Sequence, residues 1–187
     1  SACLVGSEMC KETGNNWINA GNGDDTITAG NGNDTIYGGC NDDSIIAAEG
    51  DNSIQGDAGD DHIITGNGHD TITGGSGNDT IEAGNGSNYV YGNAGNDSIV
   101  TGNGYETIDG GTGNDTIDAG LSTNLVFGNA GDDIIVTGND YDTVDGGSGN
   151  DSIEAGVGNN SILGGTGADT IVVGNGNDRI NAGNGDD

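Results

Sequence analysis

Gly110-Gly111-Thr112-Gly113-Asn114-Asp115-Thr116-Ile117-Asp118 is a nine-residue unit whose reading decides how this chain folds. It returns almost unchanged at Gly74 to Glu82 and at Gly146 to Glu154, and its phase runs without insertion or deletion from Glu12 to Asp187. The eighth position is Ile or Val in every complete unit from Ile18 to Ile180, and only Val90, Val126 and Val144 are not isoleucine. One β-branched residue per unit, flanked by Thr, Ser, Tyr, Asp or Glu, suits a strand of about three residues that buries its centre and turns both neighbours outward. The other six positions are rich in Gly, Asn and Asp because they turn the chain. Glycine reaches positive φ without steric cost, and Asn and Asp tolerate it.

Each unit is therefore a turn plus a strand, and two units close one coil of 18 residues with turns alternating between two edges. Coils stack as parallel strands about 4.8 Å apart. The predicted fold is all-β: a right-handed parallel β-roll (β-solenoid) of about ten coils, roughly 50 Å long. The order Gly-Gly-x-Gly-x-Asp-x-apolar-x closely resembles the repeats-in-toxin (RTX) nonapeptide family, over residues 12–187. That resemblance implies calcium held between turns, with Asp at the sixth position as side-chain ligand, and folding on meeting extracellular calcium after secretion. Residues 1–11 precede the repeats and read as an amino-terminal cap or junction segment. The chain departs from the family in its Asn series, in lacking a carboxy-terminal cap and secretion segment, and in carrying no toxin, protease or lipase domain.

Composition makes the same demand for cations. Hydrophobic residues are 30% and aromatics 4% of the chain, so the expected core is one column of Ile and Val per sheet. At roughly 1.5 to 3 kcal/mol per buried aliphatic side chain, such columns do not obviously offset the ordering of a glycine-rich chain. Thirty-one acidic residues face only Lys11 and Arg179, for a net charge of −29. Carboxylates stacked one coil apart repel by about 1 kcal/mol per pair in water, and by several at lower dielectric. Bound divalent ions resolve both problems. With nothing basic to meet phosphate, nucleic acid and anionic membranes are poor partners. Apolar runs such as Ile134-Ile135-Val136 are far short of a bilayer span, so no membrane insertion is expected. Acidity and dependence on calcium place the protein outside the cell, secreted or at a surface.

Two acidic ladders follow from the period. One edge carries Asp25, Asp43, Asp61, Asp79, Asp97, Asp115, Asp133, Asp151, Asp169 and Asp187, so nine gaps between coils are lined by two carboxylates each. Calcium takes six to eight oxygens, which shared carboxylates and turn carbonyls supply. The other edge reads Asn16, Asp34, Asn52, Asp70, Asn88, Glu106, Asn124, Asp142, Asn160 and Asp178, an acid alternating with an amide. The expectation is a strong edge with about nine ions and a weak edge with fewer. Charge agrees: nine divalent ions take −29 to about −11, and nine more would overshoot to about +7. The competing reading is a metal-free solenoid using Asn and Asp only for turn geometry.

Elsewhere the residues are less telling. Cys3 and Cys10 lie close enough in sequence to knot a cap, and Cys40 in a turn reads as a free thiol, a bond to another chain or a plain surface substitution. His62 and His69 have no second ligand at metal spacing, and no nucleophile, base and orienter converge, so an enzyme is not expected. Outer strand positions form stripes, with Tyr89, Tyr91, Leu125 and Phe127 on one sheet and Ile46, Ile64, Val100, Ile134, Val136 and Val172 on the other. Gly183 to Asp187 supplies five positions of a unit that Glu8 to Lys11 of another copy would complete, with Met9 at the strand position. The leading expectation is thus a secreted structural rod joined head-to-tail, and laterally through the stripes, into a fibre or matrix filament. The alternatives are an ice-binding or adhesive module, of whose Thr-x-Asn array only Thr112-x-Asn114 fits well, and an RTX block of a larger secreted toxin or hydrolase.

Overall fold

The structure, a computed structural model, describes residues 2–4 and 13–186. Its strands belong to two parallel sheets, one of eleven strands and one of nine, and along the repeats the chain alternates between them. Partners across each sheet are 18 residues apart, as in Val90 opposite Ile72 and Ile108, and Ile99 opposite Ile81 and Ile117. The fold is a parallel β-solenoid, as the period predicts.

The two sheets differ in a way the nine-residue unit does not announce. Strands of the nine-stranded sheet are three or four residues long, such as Thr116–Asp118, whereas those of the eleven-stranded sheet are mostly six, such as Thr107–Thr112. The expected three-residue strand therefore holds for one sheet only. In the other, the Gly-Gly pair continues the ladder: Gly111 stands opposite Asn93 and Asn129. It does so at φ 108°, where a Cβ would run into the Asn93 carbonyl, so the second glycine of the pair is required by the neighbouring coil as well as by its own backbone. Asn41, Ser122 and Asp140, which stand where the unit calls for glycine, adopt positive φ themselves.

The core holds the expected Ile and Val column of each sheet, buried from Ile18 to Ile162. A further column lies beside it: two residues after the core residue of each short strand the side chain points inward again, as Ala47, Thr65, Ala83, Thr101, Ala119, Thr137 and Ala155. One column per sheet was thus an incomplete account. The strand Ala2–Leu4 lies along Trp17–Asn22 with Cys3 opposite Ile18, out of the coil period. The Cys3–Cys10 bridge, the junction residues Glu8 to Lys11 and the ladder residue Asp187 lie outside what the structure describes. Cys40 is an exposed free thiol.

Candidate metal centres

Each ladder acid ends a turn, immediately before a strand, where the chain points its side chain back into the rod. On the all-Asp edge every described member from Asp25 to Asp169 is buried. One carboxylate oxygen has a fixed job. The backbone N–H of Asp97 donates to Asp115 Oδ1 at 2.8 Å, that of Asp115 donates to Asp133 Oδ1 at 2.8 Å, and that of Asp79 to Asp97 Oδ1 at 2.8 Å. From Asp43 to Asp151 the second oxygen has none. Oδ2 of Asp43, Asp61, Asp79, Asp97, Asp115, Asp133 and Asp151 is buried without a hydrogen-bond partner. A charged oxygen buried without a donor is costly enough that it calls for a cation or a proton.

Glycine makes the space into which that oxygen points. A Cβ built on Gly146 would sit 2.5 Å from Asp151 Oδ2 and 2.6 Å from the carbonyl oxygen of Gly164 in the next coil. Gly110 repeats this, at 2.5 Å from Asp115 Oδ2 and 3.1 Å from the Gly128 carbonyl. Two acceptors from successive coils thus crowd the same glycine, which any side chain there would obstruct, and an acid oxygen beside a backbone carbonyl is a donor pair that calcium accepts. The donor set is a shared carboxylate with backbone carbonyls. Among the described residues no three His, Cys, Asp or Glu side chains gather at one point, as a site built of side chains alone would require. A hard, oxygen-seeking cation fits what is present.

Burial pushes these carboxyls up, and neighbouring carboxylates add to the shift, while the backbone N–H each accepts offsets part of it. Asp43, Asp61 and Asp133 rise to about 6, and Asp79 and Asp115 to about 7. Asp97 and Asp151 are raised by the same burial.

The other edge alternates in structure as it does in sequence. Asp34, Asp70, Glu106 and Asp142 are buried, as are Asn16, Asn52, Asn88, Asn124 and Asn160 between them. Burial raises Glu106 to about 7 and lifts Asp34, Asp70 and Asp142. Asp178, in the last described coil, accepts the backbone N–H of Asn160 at 2.9 Å. The amide series has a feature that the sequence hid: its NH2 groups turn back on their own coils. Asn52 Nδ2 donates to the carbonyls of Gly50 at 3.0 Å and Ala48 at 3.3 Å, and Asn160 Nδ2 to that of Gly156 at 3.1 Å. His62 and His69 are exposed, and among the described residues no helix is long and apolar enough to cross a membrane.

Comparison with known proteins fits this geometry. A search of curated proteins finds no match. One solved structure, of a hyperactive, Ca2+-dependent, β-helical antifreeze protein from an Antarctic bacterium, aligns with a TM-score of 0.68 at 25% identity over 87% of this chain. This chain spans 59% of that one. The family model for the RTX calcium-binding nonapeptide repeat (4 copies) matches residues 12–39, 41–72, 73–105, 100–135, 127–162 and 155–187. With the period, the paired coils and the family model in agreement, this chain belongs to the RTX calcium-binding nonapeptide repeat family, and its cofactor is calcium.

Proposed function

We propose that this calcium-binding β-roll is a rigid, non-catalytic module acting outside the cell, and that the outer surface of its all-Asp turn edge is an ice-binding face. The ladder acids serve as ligands, Asp25 to Asp187 on the strong edge and Asp34, Asp70, Glu106, Asp142 and Asp178 on the weak one.

The observation that carries this reading is the outward rank beside the buried ladder. Asn78, Asn96, Asn114, Asp132 and Asn150 are exposed, and each side-chain oxygen is pinned by the next coil. The backbone N–H of Asn96 donates to Asn78 Oδ1 at 2.8 Å, that of Asn114 to Asn96 Oδ1 at 2.6 Å, and that of Asp132 to Asn114 Oδ1 at 2.8 Å. Side chains held this way cannot swing, so the edge offers polar groups at a fixed spacing of about 4.8 Å. The parallel row of Ser76, Ala94, Thr112, Ala130, Ser148 and Thr166 contains nothing large, which keeps the edge flat. Its hydroxyls are interrupted by alanine, yet the Asx row beside it is continuous from Asp42 to Asn150. A flat, immobile and periodic array suits a crystalline water surface. The likeness to an antifreeze protein supports the same reading.

Thermal hysteresis and partition into growing ice, with calcium and with chelator, test it. Activity in calcium that disappears in chelator, and that Asn96→Tyr with Asn114→Tyr reduces at least tenfold while the fold is kept, is the expected result. A calcium-loaded protein that neither adsorbs to ice nor slows its growth would overturn the proposal. A head-to-tail filament is the less favoured reading, because Ala2–Leu4 already pairs with Trp17–Asn22, the first strand of the repeats.

A further inference from the structure

On the outer face of the eleven-stranded sheet an apolar residue and an acid alternate strand by strand: Tyr91, Asp109, Phe127, Asp145 and Leu163 stand opposite one another in register. Each acid lies on the floor of a groove whose walls are the larger residues of the strands on either side. Those walls are two strand spacings apart, roughly 10 Å. That width takes one methylene chain, with carbon contacts on both sides.

The two grooves differ at their floors. Asp109 is satisfied from within: Asn129 Nδ2 reaches back from the next coil and donates to Asp109 Oδ1 at 2.6 Å. Asn129 stands 20 residues after Asp109, and the residue 20 after Asp145 is Gly165, which has no arm to offer. Asp145 is partly buried between Phe127 and Leu163, and burial alone raises its carboxyl, with no donor or cation among the described residues to offset it. A carboxylate withdrawn from water in this way calls for a partner. The open hollow above it, about 380 Å3, includes Leu125, Phe127, Thr143, Asp145 and Leu163 in its lining, with Arg179 at the far side. Arg179 is one of only two basic residues in the chain, and it stands in the adjacent column, two strands beyond Thr143. One small surface thus presents a negative charge, apolar walls and a positive charge.

We propose that this hollow docks a partner protein through a lysine side chain, its methylenes between Phe127 and Leu163 and its ammonium on Asp145, while an acidic group beside that lysine meets Arg179. Charge complementarity selects this occupant. In the neighbouring groove the floor acid already takes an N–H donor from Asn129, and here the donor comes from outside. A second copy of the chain, at a net charge of −29, is repelled. A purely cationic partner would set like charge against Arg179. The hollow lies on a sheet face rather than on the turn edge that carries the exposed Asx rank.

The probe is a short capped peptide with Lys and Glu two residues apart, which places both on one side of an extended strand. It is titrated into the calcium-loaded full chain and followed by NMR at the amides of Thr143, Asp145 and Leu163. Saturable binding is expected, weaker by roughly fivefold or more with Asp145→Asn, with Phe127→Ala, and when norleucine replaces the peptide's lysine. Arg179→Glu separates a shaped site from general attraction to an acidic rod: it is expected to weaken binding, whereas general attraction would be strengthened. Asn129→Gly, which withdraws the arm from Asp109, is expected to open a second, weaker site in the neighbouring groove. Circular dichroism in calcium checks that each variant keeps its fold. Affinity unchanged by Asp145→Asn or raised by Arg179→Glu would overturn the proposal. So would equal binding of a peptide with arginine in place of lysine, or dimerisation of the chain through this face.

Discussion

At the scale of single residues, the decisive atom is the one with nothing to do. From Asp43 to Asp151 each acid of the all-Asp edge uses Oδ1 to hold the previous coil and leaves Oδ2 facing a glycine, so ligand and space are encoded five residues apart, as at Gly146 and Asp151. Gly146→Ala puts a methyl group where the two oxygens converge. The expected outcome is loss of about one bound ion and weaker calcium binding at that gap, by tenfold or more, read by calorimetric titration. Unaltered binding would mean that the ion lies elsewhere. The acids themselves were legible in the sequence because they recur in phase. The inward threonines Thr65, Thr101 and Thr137 were not, because Thr also fits any turn or strand, and only their burial sets them apart from the exposed Thr116 and the partly exposed Thr143.

At the scale of the strand, one isoleucine does most of what hydrophobic burial contributes. Ile117 is almost fully buried between Ile99 and Ile135 on the strands to either side. Replacing it by alanine leaves a hole that the stacked coils cannot close, and is expected to cost about 2 to 5 kcal/mol in calcium, measured by denaturant unfolding. Thr116→Ala, one residue away and facing solvent, is expected to cost little by comparison. Equal effects would show that the column is not the core. The column was plain from the nine-residue period, as was the pairing of residues 18 apart. Unequal strand lengths were hidden, because the period assigns every unit the same pattern while the Gly-Gly units extend their ladder and the Ala-Gly or Thr-Gly units do not. The pairing of Ala2–Leu4 was hidden for a different reason: those residues precede the repeat and carry no periodic signal.

At the scale of the whole molecule, charge and metal decide when the rod exists. Burial holds Asp43, Asp61 and Asp133 near 6 and Asp79, Asp115 and Glu106 near 7, well above the roughly 4 of exposed carboxyls. The folded chain therefore binds these protons more tightly than the unfolded chain does. Without metal, this contribution to stability is fully present below about pH 4 and is lost as pH rises through 6 to 7. Calcium acts in the opposite sense, since it requires the deprotonated oxygens. In chelator, circular dichroism should report β-structure near pH 4 that disappears by about pH 8, whereas with calcium the fold persists at pH 8. Small-angle scattering should follow the same change from rod to expanded coil. A chelated chain equally folded at both pH values would mean that neither proton nor cation is needed.

Each ladder acid is tied to the next coil in both directions: Asp61 N–H donates to Asp79 Oδ1, and the Asp61 carbonyl accepts from Thr80 N–H at 2.8 Å. A cut made between two coils therefore wounds both halves. The upstream half loses the acceptor of a ladder amide, and the downstream half loses the acceptor of the strand amide beside its own acid. Fraying should accordingly spread from both faces of such a cut, which deuterium uptake along the rod would reveal.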